Sequence, residues 1–505
     1  WPIVFWLIVF WLIARGVRVS APRFDYSLQV PSASELGRVH FIAIGGAGMS
    51  AVARLMLAAG VPVSGSDAKD SDALHALRDA GATVFIGQRP EQVEGADTVV
   101  VSSAIAESNP ELVAARKAGL RVLHRSQGIV ALRGDRSVVA VAGANGKTTT
   151  TSMLVVALRA AGMDPAFASG AEIPQEGTNA ALGSGRHLVV EADESDGSFV
   201  VYHPDTAIVT NVQPDHLDFH GDLAGVEAAY RAFVDSMTPG GLLVACADDP
   251  GARALAGYAR ETSRRVLTYG ESEDADLVVQ ERQERDAGAT ARLVVDGVAH
   301  ELVLAVPGAH NVENAAGAFG ALTAGCGLSE AQALAGLAAF TGAARRFESH
   351  GEHGGVRVVD DYAHNAPKVT AAVRTGVELA RRRGGRLVAV FQPHLYSRTR
   401  DFAERFAEAL APAGEVVILD IYGARESPLE GVSSDLIADP LRAAGRTIHR
   451  PANDDEAVDL VRGLAATGDV VMTIGAGDVT RLAPRIAEAL DGNDGDHSDH
   501  PGGSS

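Results

Sequence analysis

Residues 137–162, SVVAVAGANGKTTTTSMLVVALRAAG, constrain the fold more than any other stretch of the chain. An unbroken apolar run of strand length enters a glycine turn and leaves it as a helix-length segment. A strand with no polar face is buried on both sides, and followed at once by a helix it belongs to a βαβ unit of a parallel sheet. The turn itself, Gly143-Ala144-Asn145-Gly146-Lys147-Thr148, carries chemistry. Glycines let backbone N–H groups close on a phosphate, and the helix N-terminus adds partial positive charge. A lysine there reaches terminal phosphates, and the threonine hydroxyl can ligate Mg²⁺. Val141 stands where the commonest spacing has glycine, so an ordinary tight turn is the competing reading. Against it, Lys147 is the only lysine between residues 118 and 367.

Two further blocks share this style. The first runs from RVHFIAI through Gly45, Gly46, Ala47, Gly48, Met49 and Ser50 into SAVARLMLAAG, with VPVSGSD and TVVVSSAI as later strands. Gly46 to Ala51 matches G-x-G-x-x-G/A, and Asp67 lies where a ribose-binding acid is expected, a pattern that suits any nucleotide with a pyrophosphate. The last block contains VRVVDDYAH, GRLVAVFQPH, EVVILDIY and DVVMTIGAGD. Alternating strands and helices throughout predict an α/β chain of three domains. The expected divisions are 38–134, 135–343 and 344–490, with an apolar extension over 1–37 and a disordered polar tail over 491–505.

Composition narrows the function. A net charge of −20 without a basic run excludes nucleic acid as the natural partner. Two cysteines, Cys246 and Cys326, cannot build a disulfide framework and fit a reducing, cytoplasmic setting. The N-terminal WPIVFWLIVFWLIA is short of the ~20 apolar residues a membrane span needs. It lacks a basic front, so it reads as an extension from a misplaced start or upstream read-through, with a membrane anchor as the alternative, and no stable membrane partner is expected.

The polar candidates sit after strands, where open α/β sheets bind ligands. Glu191-Ala192-Asp193-Glu194-Ser195-Asp196 offers hard oxygen ligands suited to Mg²⁺, or else a solvated acidic loop. TNVQPDHLD brings Asp215 and His216, with His216 a candidate metal ligand. Arg346, Asp361, His364, His394 and Arg398 gather charge near the ends of the last block's strands; each is as readily a surface residue by spacing alone.

Taken in order, HFIAIGGAGMSAVA, GANGKTTTT, EADESDGSF, TNVQPDHLD, GAHNVENAAGA, ARRFE, DDYAH, FQPHLYSRTRDF, DIYGARESPLEGV and GAGDV resemble the Mur ligases, which build the peptide of bacterial cell-wall precursors. The resemblance runs from about Val39 to about Leu490 and is nearest to the alanine-adding members. It implies a Rossmann-like first domain, a central P-loop ATP-binding domain and a Rossmann-like last domain. It also implies ATP and Mg²⁺ as cofactors, and UDP-N-acetylmuramate and L-alanine as substrates. By the same resemblance Gly45 to Ser50 and Asp67 bind the UDP moiety, and Gly143 to Thr149 hold ATP, with Ala144, Asn145 and Lys147 on its phosphates. Thr148, Glu191 and His216 organise the metal. Asn311 and Asn314 lie on the adenine side, and Arg346 and Asp361 contact the nucleotide. Tyr362, His364, His394 and Arg398 receive the amino acid, with His364 the candidate base for its amine. The chain departs from the family at Ala144-Asn145, usually Thr-His, and at His364-Asn365-Ala366-Pro367, where two histidines precede proline. Some relatives carry a carbamylated lysine; none is expected here. The alternatives are a recycling ligase adding a preformed tripeptide, a folate-type glutamate ligase, an NAD-dependent oxidoreductase, and a silent binding homologue. The sequence leaves oligomeric state open.

Overall fold

The computed structural model describes residues 24, 26, 29–285, 288–424 and 426–491. The apolar run 1–14 and all but the first residue of the C-terminal tail lie outside them. The chain forms two compact units: one holds the residues up to Arg136 together with Asp193–His203, the other Ser137–Ala192 and everything from Pro204 on.

The first unit is a five-stranded parallel sheet of β1 (Val39–Ile42), β2 (Val63–Asp67), β3 (Thr83–Ile86), β4 (Thr98–Val101) and β5 (Arg121–His124), ordered β3-β2-β1-β4-β5. β1 and β4 are wholly buried, including the polar His40 and Thr98 among their apolar residues. The strand order reverses between them, so the loop after β1 opens at the point where such sheets bind ligands. Packing begins ahead of Arg38: Leu36 is fully buried, and the Phe24 ring lies tilted against His124 with ring centroids 5.0 Å apart.

The second unit holds two sheets. The larger comprises β6 (Ser137–Ala142), β7 (Ala166–Ile173), β8 (Thr178–Ala181), β9 (His187–Glu191), β10 (Thr206–Val209), β11 (Leu242–Cys246), β12 (Arg265–Gly270), β13 (Leu277–Arg285), β14 (Gly288–Val295) and β15 (Val298–Leu304). Its order is β15-β14-β13-β12-β11-β10-β6-β9-β7-β8. β6, β9 and β10 lie side by side and parallel at its centre, while β13 to β15 form an antiparallel flank. The smaller sheet has β16 (Glu348–His353), β17 (Val356–Asp361), β18 (Leu387–Phe391), β19 (Glu415–Ile418), β20 (Ile448–His449) and β21 (Val470–Ile474), ordered β16-β17-β21-β18-β19-β20. Only β16 runs antiparallel. The α/β class and the parallel sheets expected from the sequence are both present.

Candidate active site

Three adjacent parallel strands deliver one cluster of polar groups. β6 ends in the loop Gly143–Gly146, β9 ends at Glu191, and β10 leads into Thr210 and Asn211. The loop's shape depends on its glycines. Gly143 has φ +138° and a side chain there would strike the Thr210 hydroxyl; Gly146 has φ +85° and a Cβ would come within 2.5 Å of Asn314 Oδ1. Only glycine takes such backbone angles without strain. The Asn145 amide donates to Asn211 Oδ1 (2.9 Å), and the Thr210 hydroxyl donates to the Asn145 carbonyl (2.5 Å). Asn145 is thus tied through its backbone to the strand next door.

From Gly146 the helix Lys147–Ala160 starts, aiming its first N–H groups into a cavity of about 320 Å³. Ala144 to Thr149, Glu191, Asn211, Asn311, Asn314, Arg346 and Asp361 are among its lining. Lys147 Nζ donates to the Gly143 carbonyl (2.6 Å) and Thr148 Oγ1 to Glu191 Oε1 (3.2 Å). Glu191 also accepts from the Gly170 amide (2.8 Å), which holds its carboxylate in place. Arg346 Nη2 lies 3.5 Å from Thr148 Oγ1, so a residue 198 positions away faces the same hydroxyl. Arg346 is flanked by Arg345 and Phe347 with φ of +58° and +50°. Left-handed geometry at non-glycine residues costs of order 1–3 kcal/mol each and persists where the surroundings impose it. Here it turns Arg346 toward the cavity. The Asp361 carboxylate anchors the same turn, accepting from the amides of Phe347 (2.9 Å) and Ala363 (2.8 Å). Burial nonetheless pushes its proton affinity upward, against the pull of Arg346.

Beyond Asp361, Tyr362, His364, His394 and Arg398 form a second cluster. Arg345 and Arg346 lie over the Tyr362 ring at 4.8 and 5.2 Å, and His364 and His394 sit with centroids 5.9 Å apart. Arg398 Nη1 donates to the His364 carbonyl (3.2 Å). The His364 ring bonds through Nδ1 to the Tyr362 carbonyl (2.9 Å), which makes Nδ1 the protonated nitrogen and leaves Nε2 as an acceptor. Burial, then the cations Lys368 and Arg398 and the neighbouring His394, pull the His364 pKa down to about 3. Burial lowers His394 as well.

These depressed histidines set a pH dependence. The unfolded chain takes up protons below about pH 6.5, the ordinary histidine value. Folded His364 cannot do so until about pH 3, so its share of stability is full above pH 6.5 and is lost as pH falls through that window. Urea midpoints should therefore drop from pH 7 to pH 4, and less so in His364→Gln. Equal slopes for the two proteins would contradict the assignment.

The acidic run does not act as one metal cluster. Asp193 pairs with Arg125 (2.9 Å), and Asp196 pairs with His124 (3.2 Å) and accepts from Ser103, all inside the first unit. Only Glu191 of the run lines the cavity. Among the described residues no group of three or more His, Cys, Asp or Glu side chains is placed to hold a metal ion. His216, at φ +51°, has its ring 3.9 Å from Asp215 and is not among the cavity's lining residues. In the first unit, the Gly45 amide donates to Asp67 Oδ2 (2.9 Å), so Asp67 shapes the turn Gly45–Ser50. Arg125 also reaches that turn, its Nη1 standing 3.0 Å from where a Cβ of Gly48 would lie. The sequence reading missed Arg125, Asn211, Phe347 and Tyr422; the last stacks on His394 at 5.8 Å.

Three family models match in order: Mur ligase family, catalytic domain over 38–133; Mur ligase middle domain over 141–322; Mur ligase, glutamate ligase domain over 345–477. The chain is 51% identical to UDP-N-acetylmuramate–L-alanine ligase of Paenarthrobacter aurescens over 90% of its own length and 98% of the relative's. The chain belongs to the Mur ligase family. A second relative of the same name, from Kineococcus radiotolerans, is 51% identical over 91% of this chain and 98% of its own. Among solved structures, the UDP-N-acetylmuramate-alanine ligase MurC of Thermotoga maritima superposes with a TM-score of 0.76 at 28% identity, covering 90% of this chain and 99% of that one. Within this family the departure at residue 365 has a structural explanation. Asn365 caps the helix Ala366–Arg382, its side chain accepting from the Lys368 amide (3.0 Å). Pro367 sits in the first turn, where a missing N–H costs nothing.

Proposed function

We propose that this Mur ligase joins L-alanine to the lactyl carboxylate of UDP-N-acetylmuramate at the expense of ATP. The observation that carries the reading is the convergence of Lys147, Thr148, Glu191 and Arg346 on one cavity, in a chain whose relatives of 51% identity bear that activity in their names.

The cavity takes ATP with its phosphates on the Gly143–Thr149 loop and its base toward Asn311 and Asn314. Facing oxygens on Thr148 and Glu191 suit Mg²⁺, which prefers hard oxygen ligands and would supply charge neutralisation on the phosphates. His216 is the remaining candidate of the set. A carboxylate is a poor electrophile. Its oxygen attacks the γ-phosphorus, the bond to the ADP oxygen breaks, and an acyl phosphate forms. The alanine amine then attacks the acyl carbon, the C–O bond to the phosphate breaks, and the departing phosphate carries off the proton that the amine loses. Lys147 and Arg346 are placed to stabilise charge growing on the transferred oxygens, where fixed charges count most. His364 is a poor general base, because its pKa of about 3 is far from the neutral range that suits the task. Its neutral Nε2 serves instead as an acceptor that orients the amine, with Tyr362, His394 and Arg398 around it. In the first unit, the turn Gly45–Ser50 with Asp67 takes the UDP moiety.

ATP and UDP-sugars place the reaction in the cytoplasm. No helix among the described residues is long and apolar enough to cross a membrane. The domains implied are 38–134, 135–343 and 344–490. Mass spectrometry of the UDP-sugar after incubation with ATP, Mg²⁺ and L-alanine is the test. The expected product carries one alanine in amide linkage, and its absence rejects the reading.

A further inference from the structure

Lysine is scarce in this chain. Of 44 basic Lys and Arg residues only Lys69, Lys117, Lys147 and Lys368 are lysine. Two of those four, Lys147 and Lys368, line the same cavity. Arginine serves nearly everywhere else, and the two cations differ physically: an ammonium is a compact point charge on a flexible stem, a guanidinium a planar fork.

The position of Lys368 follows from a chain of contacts. The loop after β10 is fastened to the phosphate loop by Asn145 N to Asn211 Oδ1 (2.9 Å) and Thr210 Oγ1 to Asn145 O (2.5 Å). Further along that loop, Asp215 Oδ2 lies 3.7 Å from Lys368 Nζ. Lys368 therefore lines the cavity that Lys147 lines, held on the side of the loop that β10 sends to the phosphate loop. Asn365 fixes its backbone in the first turn of the helix Ala366–Arg382. Its charge is also felt at His364, in the cluster assigned to the amino acid. It thus sits between the two places the reaction must connect. The pair with Asp215 is partly exposed, 23% and 27%, and an ion pair of that kind adds little to stability. Stability alone gives little reason for a lysine here.

We infer that Lys368 is a second phosphate-directed ammonium of the site, held by Asp215 and binding the terminal phosphoryl group of the nucleotide alongside Lys147. The inference rests on the ATP-ligase reading and adds a residue to it. In the ligand-bound state its ammonium donates to a γ-phosphate oxygen. Charge-assisted hydrogen bonds are shorter and stronger than neutral ones.

Calorimetric titration of the full chain with β,γ-imido-ATP, ADP and AMP, each with Mg²⁺, separates the possibilities. Lys368→Met should weaken the triphosphate by roughly tenfold or more, the equivalent of ~1.4 kcal/mol. ADP should weaken less and AMP not at all, and Lys368→Arg should recover part of the loss. The thermal midpoint without nucleotide should stay within about two degrees of wild type, in keeping with a weak ion pair. Equal weakening of all three nucleotides, or a lowered midpoint with an unchanged ratio of triphosphate to AMP affinity, would make Lys368 structural and overturn the inference. Failure of the unmodified chain to bind the triphosphate would instead reject the ligase reading itself.

Discussion

Lys147→Ala is expected to lower ADP release at saturating substrates by at least about a hundredfold, the scale on which one pre-positioned charge stabiliser is lost. Lys147 opens the helix Lys147–Ala160 and its ammonium is held over the loop by the Gly143 carbonyl at 2.6 Å. Alanine is a good helix former at that position, and the side chain is only half-buried, so the fold should survive. The far-ultraviolet spectrum and thermal midpoint should match the unmodified chain. Turnover within a few-fold of normal would remove Lys147 from its assigned role.

Glu191→Ala is expected to cause a loss of similar size through a different route. The carboxylate accepts from Thr148 Oγ1 at 3.2 Å and from the Gly170 amide at 2.8 Å. It is the one carboxylate of the acidic run that lines the cavity. Removing it takes away a hard ligand and leaves the Gly170 amide without its acceptor, a structural cost of about 1 kcal/mol. Glu191→Gln keeps an oxygen for Gly170 and loses only the charge. It should need more Mg²⁺ for half-maximal rate and stay as stable as the parent. Unchanged Mg²⁺ dependence in Glu191→Gln would show that the carboxylate does not face the metal.

Much of this was legible in the sequence because its causes are local. The phosphate loop needs glycine at 143 and 146, since φ there is positive and neighbouring side chains crowd the Cα. Those glycines, followed by Lys-Thr and a helix, can be read from residue order alone. The parallel sheets follow from strands with no polar face. What stayed hidden depends on contacts far apart in the chain. Six residues, Glu191 to Asp196, read as one acidic cluster, yet Asp193 and Asp196 are drawn off by Arg125 and His124, some 70 positions earlier. Arg346 meets Thr148 across 198 positions, and by spacing alone it was as readily a surface residue. The departure at Asn365 could be read from the sequence, but not that its side chain caps a helix. Lys368 was within reach of the same lysine count that singled out Lys147, but its partner Asp215 could be found only in three dimensions.

The central claim is that this chain spends ATP to form an amide between a UDP-linked muramic acid and free alanine. The most direct test is steady-state ADP release from the purified full chain, with each component omitted in turn. Release should require UDP-N-acetylmuramate, Mg²⁺ and L-alanine together. L-alanine should outperform glycine, L-serine and the tripeptide L-Ala-γ-D-Glu-meso-diaminopimelate at equal concentration. ADP release independent of the UDP-sugar, or faster turnover with the tripeptide than with alanine, would contradict the account.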